Sequence, residues 1–261
     1  MKAIQEEKII QIENISKSYL DRQGKKTDVL VDFDFAAQRG EFITFFGPNA
    51  CGKTTLLNII GGLLKPDSGI IQINGNPPQQ AKIGFIFQNY HNSLLPWRTN
   101  LANIAFPLEL DGTKRNQRIK LAREFIRKYD FNIPEDGYPY QLSGGQQQLL
   151  CIARALISSP DVLLMDEPFN QLDYQTRIEM NEKVQDIWLK TRKTILFVSH
   201  DLEEAVALAD RIVILTKRPA KIAEIIKNPL PRPRDTKILQ SENFFQIKNK
   251  ALEIFEKVLK I

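Results

Sequence analysis

Residues 41–55 read "EFITFFGPNACGKTT". The run 41–46 is short and almost unbroken in apolar residues, as in a strand buried on both faces. After it come Gly47, Pro48, Asn49, Ala50, Cys51, Gly52, Lys53, Thr54 and Thr55, which fit the pattern G-x-x-x-x-G-K-[ST]. Glycines in such a loop let the backbone close around phosphate groups with its N–H groups pointing inward. Lys53 is placed to neutralise β- and γ-phosphates, and the Thr54 hydroxyl to reach Mg²⁺. Helical spacing follows over 53–62. A strand, an anion cradle and a helix in that order predict an α/β nucleotide-binding core.

The rest of the chain extends this pattern. "KIGFIF" (82–87), "DVLLMD" (161–166), "TILFVS" (194–199) and "RIVIL" (211–215) are further buried-strand candidates. Helical spacing over 175–191 and 202–209 alternates with them, which predicts a mainly parallel sheet. "IIQIENI" (9–15) and "VLVDFDF" (29–35) instead alternate apolar and polar residues, as in an antiparallel piece with one wet face. Residues 98–158 show only helical spacing and predict a helical subdomain inserted into the core. The expected division is therefore 8–97 and 159–228 for the α/β core with its antiparallel part, 98–158 for the helical part, and 229–261 for a C-terminal extension. In that extension Phe244, Ile247, Ala251, Phe255 and Val258 share one helix face. The face either docks on its own domain or meets a membrane surface or a second copy.

Composition narrows the classes. The 261 residues are 43% hydrophobic and 26% charged, ordinary for a soluble globular chain with a proper core. No apolar run approaches the roughly eighteen residues that span a bilayer, and "MKAIQEEKII" breaks the apolar stretch a secretory signal needs. A net charge of +5, scattered along the chain, gives no nucleic-acid footprint. The exception is "PLPRPRDTK" (229–237), which reads as a solvated linker or as a contact for anionic lipid or a partner. Cys51 and Cys151 are too few for a disulfide framework or a zinc site. Cys151 reads as packing. Cys51 lies near Lys53 and a helix start, which predicts a lowered thiol pKa and ready alkylation.

Two more motifs carry chemistry. "VLLMDEP" (162–168) is a buried strand ending on Asp166 and Glu167. Asp166 can hold Mg²⁺ through water, and Glu167 can act on a water in line with a γ-phosphate. "LSGGQ" (142–146) places a hydroxyl and two glycines before the helical run "LLCIARAL". Ser143, Gly144, Gly145 and Gln146 thus form a second anion-binding helix start, and one nucleotide has little use for two cradles in one chain.

With the loop and the acidic strand end, "LSGGQ" resembles the ATP-binding cassette (ABC) ATPases. Other motifs of that family stand in order between about Gln11 and Arg234. Tyr19 matches the adenine-stacking aromatic, Gln88 the Q-loop glutamine, "NQLD" (170–173) with Asp173 the D-loop, and His200 the switch histidine. Taken singly, Tyr19 also suits an edge strand, Gln88 a polar strand end and His200 a helix cap; His91 matches no motif and is expected at the surface. The resemblance implies a P-loop NTPase fold of the ABC type and hydrolysis of ATP with Mg²⁺. It implies Tyr19, residues 47–55, Ser143–Gln146 and Asp173 as nucleotide contacts, with Thr54, Gln88 and Asp166 around the metal. Glu167, His200 and Gln88 would be the catalytic groups. It also answers the second cradle, since in this family two cassettes pack head to tail and the LSGGQ turn acts on the partner's nucleotide.

The stretch "NSLLPWRTNLANIAFPLEL" (92–110), with "LPRPRD" (230–235), resembles the importer branch for nitrate, sulfonate, taurine and related solutes. That likeness implies an ATP-dependent homodimer on the cytoplasmic face of the membrane. A separate permease would meet a surface at Leu94, Leu95, Pro96 and Trp97, with an extracytoplasmic solute-binding protein involved indirectly. The chain departs from the family pattern at Ala50, Gln147, Leu149 and Gln171, which bears on coupling and turnover rather than on any catalytic group. Two other classes stay open at this stage, a soluble mechanical ABC ATPase and a nucleotide-binding regulatory cassette that does not hydrolyse.

Overall fold

The computed structural model describes residues 7–260, so most of the N-terminal stretch read above for a signal lies outside the described residues. Two long strands, β1 (Lys8–Leu20) and β2 (Lys26–Gln38), pair antiparallel. β4 (Ser68–Ile73) adds to the other edge of β1, giving a three-stranded sheet in the order β2-β1-β4. β1 is thus the middle strand, but its pairing with β4 ends at Ser16, so Tyr19 pairs only with Thr27 of β2 and its other side is open, as an edge position would be.

The second sheet has six strands in the order β5-β6-β7-β3-β8-β9. They are β3 (Phe42–Phe46), β5 (Ile83–Ile86), β6 (Val162–Asp166), β7 (Thr194–Ser199), β8 (Arg211–Leu215) and β9 (Ile222–Lys227). All pairings are parallel except β8 with β9. Every residue of β3, β6 and β7 is buried, which explains their unbroken apolar runs. The helices α1 (Lys53–Ile60), α5 (Tyr174–Thr191) and α6 (Leu202–Leu208) alternate with these strands. β4 and β9 were not legible in the sequence: "SGIIQI" and "IAEIIK" expose most of their residues, and their pairing comes from neighbouring strands.

Residues 98–158 form α2 (Asn100–Leu110), α3 (Arg115–Lys128) and α4 (Gly144–Ile157) without a strand. Thr99 caps α2 by accepting from the Ala102 amide, which removes one orphan donor at the helix start. The charge proves less scattered than expected: between Lys114 and Lys128 stand seven basic residues and one acid.

The C-terminal part corrects one expectation. "PLPRPRDTK" is not a solvated linker. Leu230 is buried and Arg234 is 2% exposed. Arg234 donates to the carbonyls of Val206, Ala207 and Ala209 at 3.0, 3.2 and 2.7 Å, so it satisfies the C-terminal end of α6. Arg232 pairs with Asp210 at 2.8 Å. A short helix α7 (Thr236–Leu239) leads into α8 (Glu242–Lys260). Phe244, Ala251 and Val258 of α8 are buried, and Phe255 packs edge-on against Phe46 with ring centroids 4.8 Å apart. The apolar face of α8 therefore covers its own domain.

Candidate active site

Parallel strands point their carboxyl ends to one side, and ligands of such sheets bind there. The loop 47–52 leaves β3 at that side and opens α1. Gly52 sits at φ 130, and a Cβ there would lie 2.8 Å from Val29 Cγ1, so glycine is required. No side chain caps α1, and its first-turn amides have no intrahelical acceptor. Lys53 is 5% exposed and its ammonium donates to the carbonyls of Gly47 and Pro48 at 2.9 and 3.0 Å. Ala50 holds φ 59, a left-handed conformation that costs a non-glycine residue about 1 kcal/mol.

β6 and β7 are neighbours in register, Asp166 opposite Val198. The residues that follow them, Glu167 and His200, are therefore brought together. Glu167 holds φ 43 and its amide donates to Val198 O at 3.0 Å. Its Oε2 lies 3.2 Å from His200 Nδ1 and accepts from Asn170 at 3.3 Å and from Gln88 at 3.4 Å. Three nitrogen donors thus fix one carboxylate oxygen. His200 does not cap α6; Asp201 does, accepting from the Glu203 and Glu204 amides.

Asp166 is 3% exposed. Burial pushes its carboxyl above the ordinary range; the Thr54 hydrogen bond and Lys53 pull it down, while Glu167 adds to the rise. Its Oδ1 has no hydrogen-bond partner among the described residues. A buried carboxylate oxygen left bare costs free energy unless a ligand meets it, and an oxygen donor beside a hydroxyl fits a hard cation such as Mg²⁺.

Asn49, Ala50, Gly52, Lys53, Thr54, Thr55, Gln88, Glu167 and His200 line one cleft of about 470 Å³. Asn170, the first residue of the D-loop run 170–173, and Arg218 line it too; Arg218 was not singled out from the sequence. Asn170 lies three residues past Glu167; nothing local marks Arg218, which arrives from the loop after β8. Gly47, Pro48 and Cys51 of the same loop are not among the lining residues. Tyr19 is 44% exposed on β1 and lies outside the cleft lining.

The residues Ser143, Gly144, Gly145 and Gln146 do not line the cleft. They start α4, where the Ser143 hydroxyl accepts from the Gln146 amide and the Gln146 side chain accepts from the Ser143 amide. Gly145 packs so tightly that a Cβ would lie 2.8 Å from Thr176 Cγ2. Asp173 is likewise outside the lining and caps α5 by accepting from the Thr176 amide at 3.0 Å.

Two expectations change here. Cys51 is 1% exposed, and burial pushes its thiol up, outweighing the opposite pull of Lys53; the lowered pKa and ready alkylation are not found. Cys151 is buried as packing predicts. Leu94 is also buried, so of the surface expected at 94–97 only Trp97, 72% exposed, and Pro96 stand clear.

A family profile described as ABC transporter matches residues 30–170. The chain belongs to the ABC transporter family. This ABC cassette is 43% identical over 254 residues to the uncharacterized ABC transporter ATP-binding protein MJ0412 of Methanocaldococcus jannaschii, covering 96% of this chain and 93% of the relative. It is 41% identical over 250 residues to the aliphatic sulfonates import ATP-binding protein SsuB of Bacillus cereus, covering 95% and 96%. A solved dimer of the ATP-binding cassette MJ0796 in a post-hydrolysis state, bound to ADP and Pi, superposes with TM-score 0.72 at 30% identity, covering 84% of this chain and 98% of that one. The cassette is an ATP-binding ATPase with the P-loop ABC fold. Among the described residues no helix is long and apolar enough to cross a membrane.

Proposed function

We propose that this ABC ATPase powers uptake of a small solute through a separate membrane permease. The observation that carries the reading is spatial. Lys53, Glu167 and His200 share one cleft, while Ser143–Gln146 lie outside it. A nucleotide in the cleft is then gripped on its open side by the signature turn of a second copy, head to tail. ATP binds the closed dimer far better than the open one, and this differential affinity drives the change of shape.

Within each site Tyr19 stacks on adenine. The amides of residues 47–55 and the Lys53 ammonium hold the phosphates, Lys53 leaving the two carbonyls it now occupies. Thr54, Asp166 and Gln88 would hold Mg²⁺, which when bound would supply neutralisation of phosphate charge. Glu167 orients a water and accepts its proton at the carboxylate. The water oxygen bonds to the γ-phosphorus, the bond to the bridging oxygen breaks, and ADP leaves with that electron pair. His200 steadies both Glu167 and the γ-phosphate. Ser143, Gly144, Gly145 and Gln146 contact the partner's γ-phosphate, and Asp173 sits at the same dimer face. Catalysis of this kind is positioning and charge stabilisation.

The importer reading rests on the similarity to sulfonate import cassettes and on a second groove beside the cleft; Thr54, Gln88 and Asp166 line it together with Phe87, Asn89, Asn92 and Ser93. Phe87, next to Gln88 in the chain, and Trp97, in the same connection to α2, are exposed, which suits contact with a permease helix. The solute would be sulfonate-, nitrate- or taurine-like, delivered by a solute-binding protein, with the cassette on the cytoplasmic face. Phosphate release from Mg-ATP, compared between the native chain and Glu167→Gln, tests the catalytic part; equal rates would remove Glu167 from its role. Co-purification with the permease tests the rest, and association that survives Phe87→Asp with Trp97→Asp would count against this surface.

A further inference from the structure

Arg218 lines the nucleotide cleft and is assigned to no part of the mechanism above. It sits in the loop between β8 and β9, which β8 delivers beside the phosphate loop because β8 and β3 are paired neighbours. The loop is closed on itself and anchored. Thr216 and Lys221 exchange hydrogen bonds at 2.9 Å each, and the Ala220 amide donates to Val29 O at 2.8 Å. On its far side Lys217 donates to the Leu259 carbonyl of α8 at 2.6 Å. Arg218 is therefore presented by a fixed turn.

Its Nε donates to the carbonyl of Ala50. Ala50 is the loop residue held at φ 59, where a side chain is disfavoured. The guanidinium thus pins the loop's strained position. Among the described residues Nη1 and Nη2 have no protein partner. Their N–H groups remain for a ligand, and a guanidinium matches the geometry of two phosphate oxygens.

Charge points the same way. Of the side chains lining the cleft, Lys53 and Arg218 are cationic and Glu167 is anionic. With the Asp166 carboxylate beside Thr54, Lys53 alone would leave the cleft a net anion; Arg218 supplies the second cation that offsets this charge where a polyphosphate would bind. Resting on the ATP reading of this cleft, we infer that Arg218 is a nucleotide-binding residue. Its free guanidinium edge contacts the β- and γ-phosphate end of the bound nucleotide while its Nε holds Ala50.

The test uses the full chain with Arg218→Gln, Arg218→Lys and Arg218→Ala. Calorimetry measures binding of a Mg-bound β,γ-imido ATP analogue and of AMP. Gln keeps a donor for the Ala50 carbonyl and drops the charge; Lys keeps the charge and loses the fork. The expected result is an analogue affinity about tenfold or more weaker in the Gln and Ala variants, partial recovery with Lys, and AMP binding unchanged. Arg218→Gln binding the analogue as the native chain does would overturn the proposal. Equal weakening for AMP and the analogue would reduce Arg218 to a shaping role and also overturn it. So would intact analogue affinity with lost ATP-dependent self-association, which would place the guanidinium against the second copy. If Arg218→Ala does not fold, the Gln and Lys variants decide, provided their melting temperatures match the native chain. A native chain that binds the analogue no better than AMP would sink the ATP reading of the cleft itself, and this proposal with it.

Discussion

Gln171 Nε2 donates to Asn89 Oδ1 at 3.1 Å, tying the segment before α5 to the segment after Gln88. On the other side His91 Nδ1 meets Gln147 Oε1 of α4, and the Tyr90 hydroxyl donates to Gly144 O at 3.3 Å. The stretch 89–91 is therefore bracketed between the D-loop segment and the signature helix. Gln147 and Gln171 are two of the departures from the family pattern, and both turn out to hold this stretch. Each neutral bond contributes about 1 kcal/mol. Gln147→Ala with Gln171→Ala should speed amide hydrogen exchange over 88–93 by roughly tenfold and leave α5 unchanged; unaltered exchange would show that the bracket holds nothing.

Mixed dimers test the shared site. Lys53→Ala and Ser143→Arg should each be nearly inactive in phosphate release. In a head-to-tail pair of the two, one site combines an intact Lys53 with an intact Ser143. Mixing the inactive proteins should restore activity to about a quarter of the native rate, the statistical share of one good site in half of the dimers. No recovery on mixing would place both motifs in the same chain's site.

Arg234 predicts a stability loss without a direct loss of chemistry. Its guanidinium donates to carbonyls of α6 and of the segment before it, including Leu230 O and Asn228 O, each at 3.4 Å. Burial pulls its pKa down from the ordinary arginine value. Arg234→Ala leaves those carbonyls buried and bare, at a cost of about 3–5 kcal/mol and a melting temperature lower by roughly 10 °C. Arg234→Lys should recover little, since one ammonium cannot reach acceptors spread around a planar fork. A thermal melt of both variants checks this.

Glu204 predicts a pH dependence of stability. It is buried, the Ser199 hydroxyl donates to it at 2.6 Å, and Arg177 Nε lies 3.6 Å away. Burial raises its pKa to about 7, with Asp201 and Glu167 adding to the rise and Ser199 and Arg177 opposing it. The native state then binds more protons than the unfolded state between the unfolded value and about pH 7. Stability therefore falls as pH rises through that window and is level above it. The full effect is about 3 kcal/mol. Glu204→Gln removes this titration, so the native chain's melting temperature should lose ground to the variant's between pH 5 and 8. Parallel curves would refute it.

Cys51 should resist iodoacetamide in the native protein and react at once in denaturant, as mass spectrometry of the modified peptide would show. Its burial under the phosphate loop, with the thiolate disfavoured, gives the reagent neither access nor nucleophile.

The catalytic motifs were legible because their chemistry is local. A phosphate loop needs glycine, lysine and a hydroxyl at fixed spacing, and β6 and β7 announce themselves by apolar runs that only double burial explains. Periodicity likewise marked the apolar face of α8. Sequence alone could not say what that face covers, nor that "PLPRPRD" is packed, since Arg234 finds its acceptors only when α6 and the later segment meet in space. Arg218 was invisible for the same reason: β8 lies beside β3 in the sheet but 165 positions separate Leu215 from Ala50. Short-range rules fixed which groups exist and which strands carry them. Long-range strand order and burial decided which of those groups meet, because charge, hydrogen bonding and desolvation act over ångströms in space whatever the distance along the chain.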